Sequence, residues 1–358
     1  MKLLIGGSPC THWSIAQTKN RETEASGIGW ELFLNYRIAR DKYQPDYFLY
    51  ENNKSMSPAI RTQITAELGV EPVLINSALV SAQNRQRLYW VGKRNPDGTY
   101  SQVPVEQPED REILLRDILE AGVAWSEKSY CITATEAKGS NPNPAKQQYD
   151  CIAGPVRVGT IENDAKNQDH DSQQYRVYSP DGKSVTCCGN GGGLGAKTGL
   201  YATPVGDPDG KAWPVYEVRD GFITIKGKRY PIKLRDGFYI IRKLTVRECM
   251  RLQTVPEEYV FPVSDSQAYK MLGNGWTVDV IAHIMSHFTG LTEEPVEVLS
   301  MYDGMSCGHI ALEKLGVNVT TYYATEIDKY AVQTTQHNYP DTMQLGDAFQ
   351  VRKEDWVL

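Results

Sequence analysis

Apolar residues follow two different periods along the first 95 residues of the chain. Short apolar runs predict strands at residues 2–5, 47–50, 73–76 and 88–92. Between them, residues 29–40 and 58–68 carry apolar side chains at the spacing of amphipathic helices. Strands that alternate with helices are typical of βαβ units, so this pattern predicts an α/β fold with a parallel sheet.

The pattern changes near residue 95, where Gly, Pro, Asn, Asp and Gln become frequent. Short β-prone pieces remain at residues 174–178, 222–226 and 237–241. A stretch of this length is too long for a loop. We therefore expect residues 96–241 to form a smaller, loop-rich and mainly β domain, inserted into the α/β domain.

Helical pattern resumes at Leu244. Thr245 and Glu248 have the spacing of a capping box, which predicts a helix start. A linker-like stretch at 289–295 precedes an apolar run at 296–302, a glycine-bearing turn and a second helical pattern that we expect to end at Gly316. Residues 1–95 and 242–358 are therefore predicted to be two parts of one α/β domain.

Composition excludes several classes of protein. The chain has 358 residues, of which 41% are hydrophobic and 23% charged, as is usual for globular proteins. It contains no apolar run of transmembrane length and no signal-peptide start, which predicts a cytoplasmic protein. Seven cysteines without a CxxC spacing argue against a disulfide framework and a zinc ribbon, and no metal is expected.

The overall charge gives no indication of a nucleic-acid partner. Lys and Arg number 38 against 44 Asp and Glu, for a net charge of −6. One local segment differs, because residues 222–243 hold seven basic residues and one acidic residue. Such a segment could bind phosphates, or it could be the solvated surface of a hairpin.

Three short segments carry side chains suited to catalysis. Cys10 follows Gly-Gly-Ser-Pro at the end of the first strand, where a partly exposed thiolate could act as a nucleophile. Glu51 ends the next strand and could act as a general acid or bind a base ring. Arg85 and Arg87 alternate, so an extended segment would present both on one face. Each has a plainer interpretation, as a buried thiol, a solvated carboxylate and a solvated strand edge.

A fourth segment, residues 298–316, combines a strand, a glycine turn and a helix, as nucleotide-type cofactor loops do. Its spacing is not GxGxxG, which disfavours a dinucleotide. Glu326 lies about 20 residues further on, after another β-prone run, and could bind ribose hydroxyls.

Together the segments GGSPC, ENN, QNRQR, TVRECMRLQTVPEEY, MLGNGWTV, DGMSCG, TEID and GD resemble the motif series of the cytosine-C5 DNA methyltransferases. The resemblance touches both ends of the chain and most of its α/β part. It implies a Rossmann-like class I methyltransferase fold, a doubly wound sheet with an inserted target-recognition domain. The order of the motifs differs from that of the family, because the cofactor motifs follow the Pro-Cys loop, and this implies a circular permutation with adjacent chain ends.

The resemblance also implies roles for particular residues. Cys10 would attack C6 of cytosine, Glu51 would bind N3, and Arg85 and Arg87 would hold the ring or a phosphate. The methyl donor would be S-adenosylmethionine, with S-adenosylhomocysteine as product. Its site would comprise Tyr302, Asp303, Gly304, Met305, Ser306, Cys307, Gly308, Glu326, Ile327, Asp347, Ala348, Asn274, Gly275 and Trp276. The family usually has Phe at Tyr302 and a Gly-Gly pair at Ser306 and Cys307.

The partner implied is double-stranded DNA with one cytosine flipped out of the stack. Contacts to DNA are expected from Ser14 and from the basic segment, at Lys226, Lys228, Arg229, Lys233 and Arg235. We expect a monomer in a bacterial or phage-infected cell, with a role such as restriction-modification. Two alternatives remain, a methyltransferase for RNA cytosine and an inactive DNA-binding relative. A cysteine hydrolase is disfavoured because the sequence offers no evident His and Asn or Asp partners for Cys10.

Overall fold

The computed structural model describes residues 1–14, 21–120, 155–161, 173–187, 199–204 and 215–358. The strands of its first sheet are β1 (Lys2–Gly6), β2 (Tyr47–Asn53), β3 (Pro72–Asn76), β4 (Gln86–Arg94), β5 (Tyr100–Gln102), β13 (Val296–Met301), β14 (Val319–Thr325) and β15 (Met343–Gly346). Those of the second are β6 (Arg157–Thr160), β7 (Arg176–Tyr178), β8 (Leu200–Pro204), β9 (Val215–Arg219), β10 (Phe222–Ile225), β11 (Lys228–Pro231) and β12 (Gly237–Arg242). The α-helices are α1 (Gly27–Tyr43), α2 (Pro58–Leu68), α3 (Val246–Leu252), α4 (Asp265–Asn274), α5 (Val278–Met285), α6 (Cys307–Lys314) and α7 (Lys329–Asn338).

The first sheet has the order β15-β14-β13-β1-β2-β4-β3, with β5 beside β4. Strands β15, β14, β13, β1 and β2 are parallel, whereas β4 is antiparallel to both β2 and β3. The prediction of a wholly parallel sheet is therefore wrong at β4. Only residues 77–85 connect β3 to β4, and a parallel crossover needs about a dozen residues or more.

Helices cover both faces of this sheet because successive strand residues point to opposite sides. Leu3 and Ile5 belong to one apolar core, which also contains side chains of α4, α5 and α6. Leu4 belongs to a second core, built with Phe33 and Tyr36 of α1 and with the apolar face of α2. The arrangement is the doubly wound α/β fold expected from the sequence.

The chain leaves the middle of this sheet in two directions. From β13 it proceeds through α6 to β14 and through α7 to β15, whereas from β1 it proceeds through α1 to β2. Strands β13 and β1 lie side by side, with Gly6 opposite Met301. In open α/β sheets the crevice at such a switch point, at the carboxyl ends of the strands, is where ligands bind.

The second sheet has the order β11-β10-β9-β12-β8-β7-β6. A bridge between Gly159 and Ile232 joins its two edges, so the sheet curls around its own apolar core. This β domain begins later than predicted. Residue 96 is too early a boundary, because β5 pairs with β4 and Leu115 is buried in the core of the first sheet.

The two sheets are joined where β12 leads into α3. Arg242, at the end of β12, binds both carboxylate oxygens of the fully buried Glu248, at 2.7 and 2.6 Å. Glu248 and Thr245 also form the predicted capping box, with both bonds present. Lys183, from the β-domain side, is buried and donates hydrogen bonds to the carbonyl groups of Ala78 and Ser81.

In the described part of the chain, no helix is both long and apolar enough to span a membrane.

Candidate active site at the carboxyl edge of the first sheet

The loop that carries Cys10 leaves β1 at Gly6 and forms a short 3-10 turn over Cys10–His12. The side chain of Cys10 lies outside the part that the structure describes. The carboxylate of Glu22 fastens the far side of this loop, because it accepts hydrogen bonds from the indole of Trp13 at 3.1 Å and from the backbone of Gly29 at 3.2 Å. The loop is therefore held at both of its described ends.

Glu51 lies in β2, next to the Cys10 loop, and both oxygens of its carboxylate are bound. Oε1 is 3.1 Å from Nε of Arg87, and Oε2 accepts a hydrogen bond from the indole of Trp276 at 3.0 Å. The Glu51 side chain is 12% exposed. A carboxylate has about four lone-pair sites, so each oxygen retains acceptor capacity for a ligand.

Gly7 brings the backbone of the Cys10 loop against Glu51. A Cβ atom at Gly7 would lie 2.8 Å from the carbonyl oxygen of Glu51 and 3.0 Å from Oε2. A side chain at this position would therefore push the loop away from the carboxylate. The close approach brings Cys10, three residues beyond Gly7, to the same edge of the sheet as Glu51.

A buried polar network fixes the base of the same loop. The hydroxyls of Ser8 and Tyr50 are 2.7 Å apart, and the amide of Asn52 donates to the Ser8 carbonyl at 3.2 Å and to the Tyr50 hydroxyl at 3.1 Å. Burial raises the pKa of Tyr50, which keeps its phenol protonated at neutral pH. No role could be predicted for these residues from the sequence, although Ser8 lies in the GGSPC segment and Asn52 in the ENN segment.

Arg87 and Arg85 have different surroundings. Arg87 binds Glu51, as described above, and donates to the carbonyl of Gln86. Arg85 is 3% exposed, and its guanidinium donates to the carbonyl oxygens of Cys187, Gly273 and Gly275. Arg85 lies just before β4, which begins at Gln86, and that it faces a ligand stays a prediction.

Residues 274–277 run from the last residue of α4 to the residue before α5, and they lie between Glu51 and the turn that follows β13. Arg85 binds the carbonyl of Gly275, and the buried Gln253 binds the carbonyls of Leu272 and Gly275. On the other side, a Cβ atom at Gly275 would lie 3.1 Å from the thiol of Cys307. The segment is therefore braced from below and packed directly against the turn after β13.

The turn after β13 is strained. Tyr302, Gly304 and Ser306 all have positive φ angles, of 62°, 60° and 59°. For residues other than glycine this region costs about 1–2 kcal/mol, and such strain is often found where backbone approaches a ligand. Met305, Ser306 and Cys307 are buried, backbone included, whereas Tyr302, Asp303 and Gly304 are half-buried, so a ligand could reach the turn at these last three residues. Gly308 packs under Ile5, where a Cβ would lie at 2.2 Å.

The ends of β14 and β15 carry the remaining residues predicted for a cofactor. Glu326 follows β14, and its carboxylate accepts hydrogen bonds from the backbone of Gly304 and Ile327. Ile327 is 76% exposed, which is unusual for an isoleucine beside a carboxylate. Asp347 follows β15 and caps the next turn through Phe349, whereas Ala348 is buried. Carboxylates beside an exposed apolar side chain suit a ligand with ribose hydroxyls and a flat base.

Asp303 supplies a further carboxylate at the strained turn. Burial raises its pKa to about 6, although hydrogen bonds from Ser300, Ser306 and Tyr322 act in the opposite direction. A raised pKa means that the ionised form is destabilised in the free protein. A positively charged ligand would offset the cost of ionising Asp303. The Asp303 carboxylate therefore suits the sulfonium and ammonium groups of S-adenosylmethionine.

The basic residues of the β domain lie on and beside the hairpin of β10 and β11. Lys226 is in its turn, with φ of 48°, and the guanidinium of Arg229 lies 4.3 Å from the ring centre of the exposed Phe222. Lys233 and Arg235, which follow β11, are exposed, whereas Ser14, at the edge of the Cys10 loop, is half-buried.

The sequence profile of the family described as C-5 cytosine-specific DNA methylase matches residues 1–289. The chain belongs to this family. The matched range covers the Cys10 loop, Glu51, Arg87 and the whole β domain, and it ends before β13. Enzymes of this family are methyltransferases that use S-adenosylmethionine.

Two curated relatives are similar over most of the chain. The type II methyltransferase M.HpaII of Haemophilus parainfluenzae is 27% identical, over 78% of this chain and 69% of its own length. M.HhaI of Haemophilus parahaemolyticus, also a type II methyltransferase, is 23% identical, over 79% and 74%. A solved structure of the Entamoeba histolytica methyltransferase EhMeth matches with a TM-score of 0.44 and 14% identity, covering 80% of this chain and 76% of that one.

Proposed function

We propose that this methylase transfers a methyl group to C5 of a cytosine in double-stranded DNA, with Cys10 as the nucleophile. The observation that carries the proposal is the meeting of three segments at one edge of the sheet. The strained turn after β13, the Cys10 loop after β1 and Glu51 in β2 lie on three adjacent strands. An acceptor of methyl groups and a donor could therefore bind side by side at the switch point.

The covalent step follows from the chemistry of cytosine. The thiolate of Cys10 adds to C6, so that an Sγ–C6 bond forms and the C5–C6 π electrons move to C5. The methyl donor, when bound, would supply an electrophilic methyl group, so that a C5–CH3 bond forms as the S–CH3 bond of the sulfonium breaks, with S-adenosylhomocysteine as the product. Transfer of the C5 proton to water, with breakage of the Sγ–C6 bond, would restore the aromatic ring and the free thiolate.

Glu51 and Arg87 serve the addition step in this proposal. The free acceptor capacity of the Glu51 carboxylate binds the N3 and amino edge of cytosine, which makes C6 more electrophilic. Arg87 holds Glu51 in place through the 3.1 Å ion pair and brings positive charge to the site, which favours a thiolate at Cys10. Arg85 contributes at one remove, because it holds the backbone at Gly273 and Gly275.

The cofactor would bind along the carboxyl ends of β13, β14 and β15. Asp303 and the backbone of the turn would hold the methionine part, Glu326 the ribose hydroxyls, and Ile327 and Asp347 the adenine. The exposure of Ile327 supports this assignment, because an adenine ring would cover an otherwise solvated apolar side chain.

The target cytosine must leave the duplex to reach this edge, at a cost of a few kcal/mol. The β domain would offset that cost through phosphate contacts from its basic hairpin. A strand order that begins at β13 and continues after β15 into β1 would match the usual order of motifs in the family. We therefore infer that the chain is a circularly permuted member of the family.

The test is trapping of the covalent adduct. We expect the purified protein, with S-adenosylmethionine and a duplex containing 5-fluorocytosine at its target, to form a complex that survives denaturation, because fluorine cannot leave C5 as a proton does. Bisulfite sequencing of host DNA after expression supplies the target sequence. Cys10→Ala should abolish the adduct and retain cofactor binding, whereas Cys249→Ala, at a buried cysteine of α3, should retain both.

The outcomes separate the alternatives. Methyl transfer to tRNA and not to duplex DNA would assign the chain to RNA cytosine. Binding of duplex DNA without transfer by the wild-type protein would identify an inactive relative. Full activity in Cys10→Ala would overturn the assignment of Cys10 as the nucleophile.

A further inference from the structure

Trp276 connects two places that the proposed reaction uses separately. Its indole N–H donates to Oε2 of Glu51 at 3.0 Å, although the two residues are 225 positions apart in the chain. Its own segment, residues 274–277, packs against the cofactor turn, where Gly275 contacts the side chains of Cys307 and Met305. The backbone N–H of Trp276 also faces the thiol of Cys307 and acts to lower its pKa, against the stronger effect of burial.

The segment has little freedom to move independently of that turn. Thr277 donates to Gln253 at 2.8 Å, and its hydroxyl lies 2.8 Å from that of Ser77. Thr277 and Gln253 are both buried, and the bond from Arg85 to the carbonyl of Gly275 is part-buried. A shift of the turn on cofactor binding would therefore be carried to the indole, because close-packed and fully bonded segments transmit displacement.

Glu51 depends on few other groups for its orientation. Arg87 holds Oε1, and Trp276 holds Oε2. A single ion pair fixes the position of a carboxylate and leaves rotation about its last bond, which a second donor on the other oxygen removes. Trp276 thus sets the plane in which the remaining lone pairs of Glu51 face a ligand.

We propose that Trp276 is a positioning residue that couples the cofactor site to recognition of the target cytosine through its hydrogen bond to Glu51. The inference rests on the proposed function. With the cofactor bound, the turn and residues 274–277 hold the indole against Glu51, and the carboxylate is set for the base. Without it, the hydrogen bonds of Thr277 to Gln253 and Ser77 remain, but the turn supports Trp276 less firmly and the base is held less well. Coupling is reciprocal, so a bound target also tightens cofactor binding by the same factor.

Trp276→Phe tests the coupling, since it keeps an aromatic ring and removes the N–H donor. The measured quantity is the Kd of a duplex, with a mismatch at its target cytosine, in the absence and presence of saturating S-adenosylhomocysteine. For the wild type we expect the product to tighten duplex binding at least fivefold, within the usual range of such couplings. In Trp276→Phe we expect a factor below two and kcat at least tenfold lower, with the Kd of the free protein for S-adenosylmethionine, measured without duplex, changed less than threefold.

Trp90→Phe is the matched control. Its indole donates to Thr65 at 3.0 Å, on the face of the sheet opposite to that of Tyr89, which pairs with Glu51. It should lose stability and keep the wild-type coupling factor. Trp276→His, which retains a ring N–H, should restore part of the coupling and gives a second measurement if the Phe variant does not fold.

A double-mutant cycle locates the effect. Combined with Glu51→Gln, Trp276→Phe should cause little further loss of coupling, because both changes break one interaction. Additive losses, or a wild-type coupling factor in Trp276→Phe, would overturn the inference. Absence of both methyl transfer and S-adenosylhomocysteine binding in the wild type would instead overturn the proposed function.

Discussion

Burial of the Asp303 carboxyl group lowers the stability of the folded chain at neutral pH and favours the binding of a cationic ligand. The pKa of this group is raised from 3.8 to about 6, so the folded protein binds this proton more tightly than the unfolded chain does. The stability that this group contributes is present below about pH 4 and is lost as the pH rises through 6. At neutral pH the ionised carboxylate is a cost, which a cationic cofactor recovers on binding.

Asp303→Asn should therefore have opposite effects on stability and binding. We expect the variant to unfold at a temperature a few degrees higher than the wild type at pH 8, with the difference vanishing near pH 4. The wild-type Kd for S-adenosylmethionine should rise as the pH falls below about 6, because a protonated Asp303 no longer attracts the cation. The variant should bind weakly at pH 8 and show little change with pH.

Calorimetric unfolding between pH 4 and 8 and isothermal titration between pH 5 and 8 measure the two effects. Asp347→Asn, which alters a carboxylate at the end of the neighbouring β15, is the control and should leave the pH dependence of binding in place. A variant of Asp303 that is less stable than the wild type at pH 8, or whose Kd keeps the wild-type pH dependence, would contradict this account.

Individual side chains of the site could be predicted to different degrees. Glu51 and Arg87 were predicted because their motifs are local, and the structure brings them to one ion pair. The bond from Trp276 to Glu51 could not be predicted, since nothing in the sequence gives the distance between residues 225 positions apart. The three hydrogen bonds of Arg85 could not be predicted either, because their acceptors are backbone carbonyls, which have no sequence signal.

The hairpin of β10 and β11 is the element that we expect to bind phosphates, and the strand directions show where its turn lies. β12 ends at Arg242, where the β domain joins the α/β domain, and β9 runs antiparallel to it with Val215 opposite Ile240. β10 returns antiparallel to β9, so the turn after it lies at the same end of the sheet as Arg242. The turn joins β10 and β11, which are two and three strands from β12, so it lies about 10–14 Å from β12 across the sheet.

Replacement of Lys226, Lys228 and Arg229 by Ala should weaken duplex binding and reduce its dependence on salt. If each side chain neutralises one phosphate, the slope of log K against log salt should fall by about 3, because each contact contributes about 0.9. Exchange of Lys for Arg and Arg for Lys at the same positions retains the charge and should retain the slope. Fluorescence anisotropy over about one decade of salt concentration, from roughly 50 to 500 mM, measures it. An unchanged slope in the Ala variant would remove this hairpin from the interface.

Among the elements, the bounds of α2 and the capping box of α3 were predicted well, and the direction of β4 was not. Helix α2 occupies residues Pro58–Leu68, as its periodicity predicts, and the capping box at Thr245 is present. The antiparallel direction of β4 was missed because apolar periodicity is the same for either direction. The start of the β domain was misplaced for a related reason, since the short strand β5 is polar and exposed at its end and gives no apolar signal.

The two ends of the described chain lie near one another in the whole molecule. The ammonium group of Lys2 lies 4.8 Å from the ring centre of Tyr43, at the carboxyl end of α1. Lys42, the neighbouring residue, donates to the carbonyl of Lys353 at 2.6 Å and lies 6.0 Å from the ring centre of Trp356. Both ends therefore contact the same end of one helix. This agrees with the expectation, drawn from motif order, that they are adjacent.

A rearranged chain tests whether motif order matters to this fold. Leu358 joined to Met1 by about eight Gly and Ser residues, which span roughly 16 Å on average, should close the ends without strain. New ends between Thr292 and Glu293 would fall in an exposed segment beside Pro295, whose carbonyl accepts a hydrogen bond from the Met1 ammonium. Because every strand pairing is kept, we expect the same circular dichroism spectrum and methyl transfer within about threefold of the parent.

The same cut without the joining linker gives two fragments and is the control, which should be less stable because joined ends lower the entropy of the unfolded chain. A soluble rearranged chain that lacks the parent's secondary structure would show that the present order of segments is needed for folding.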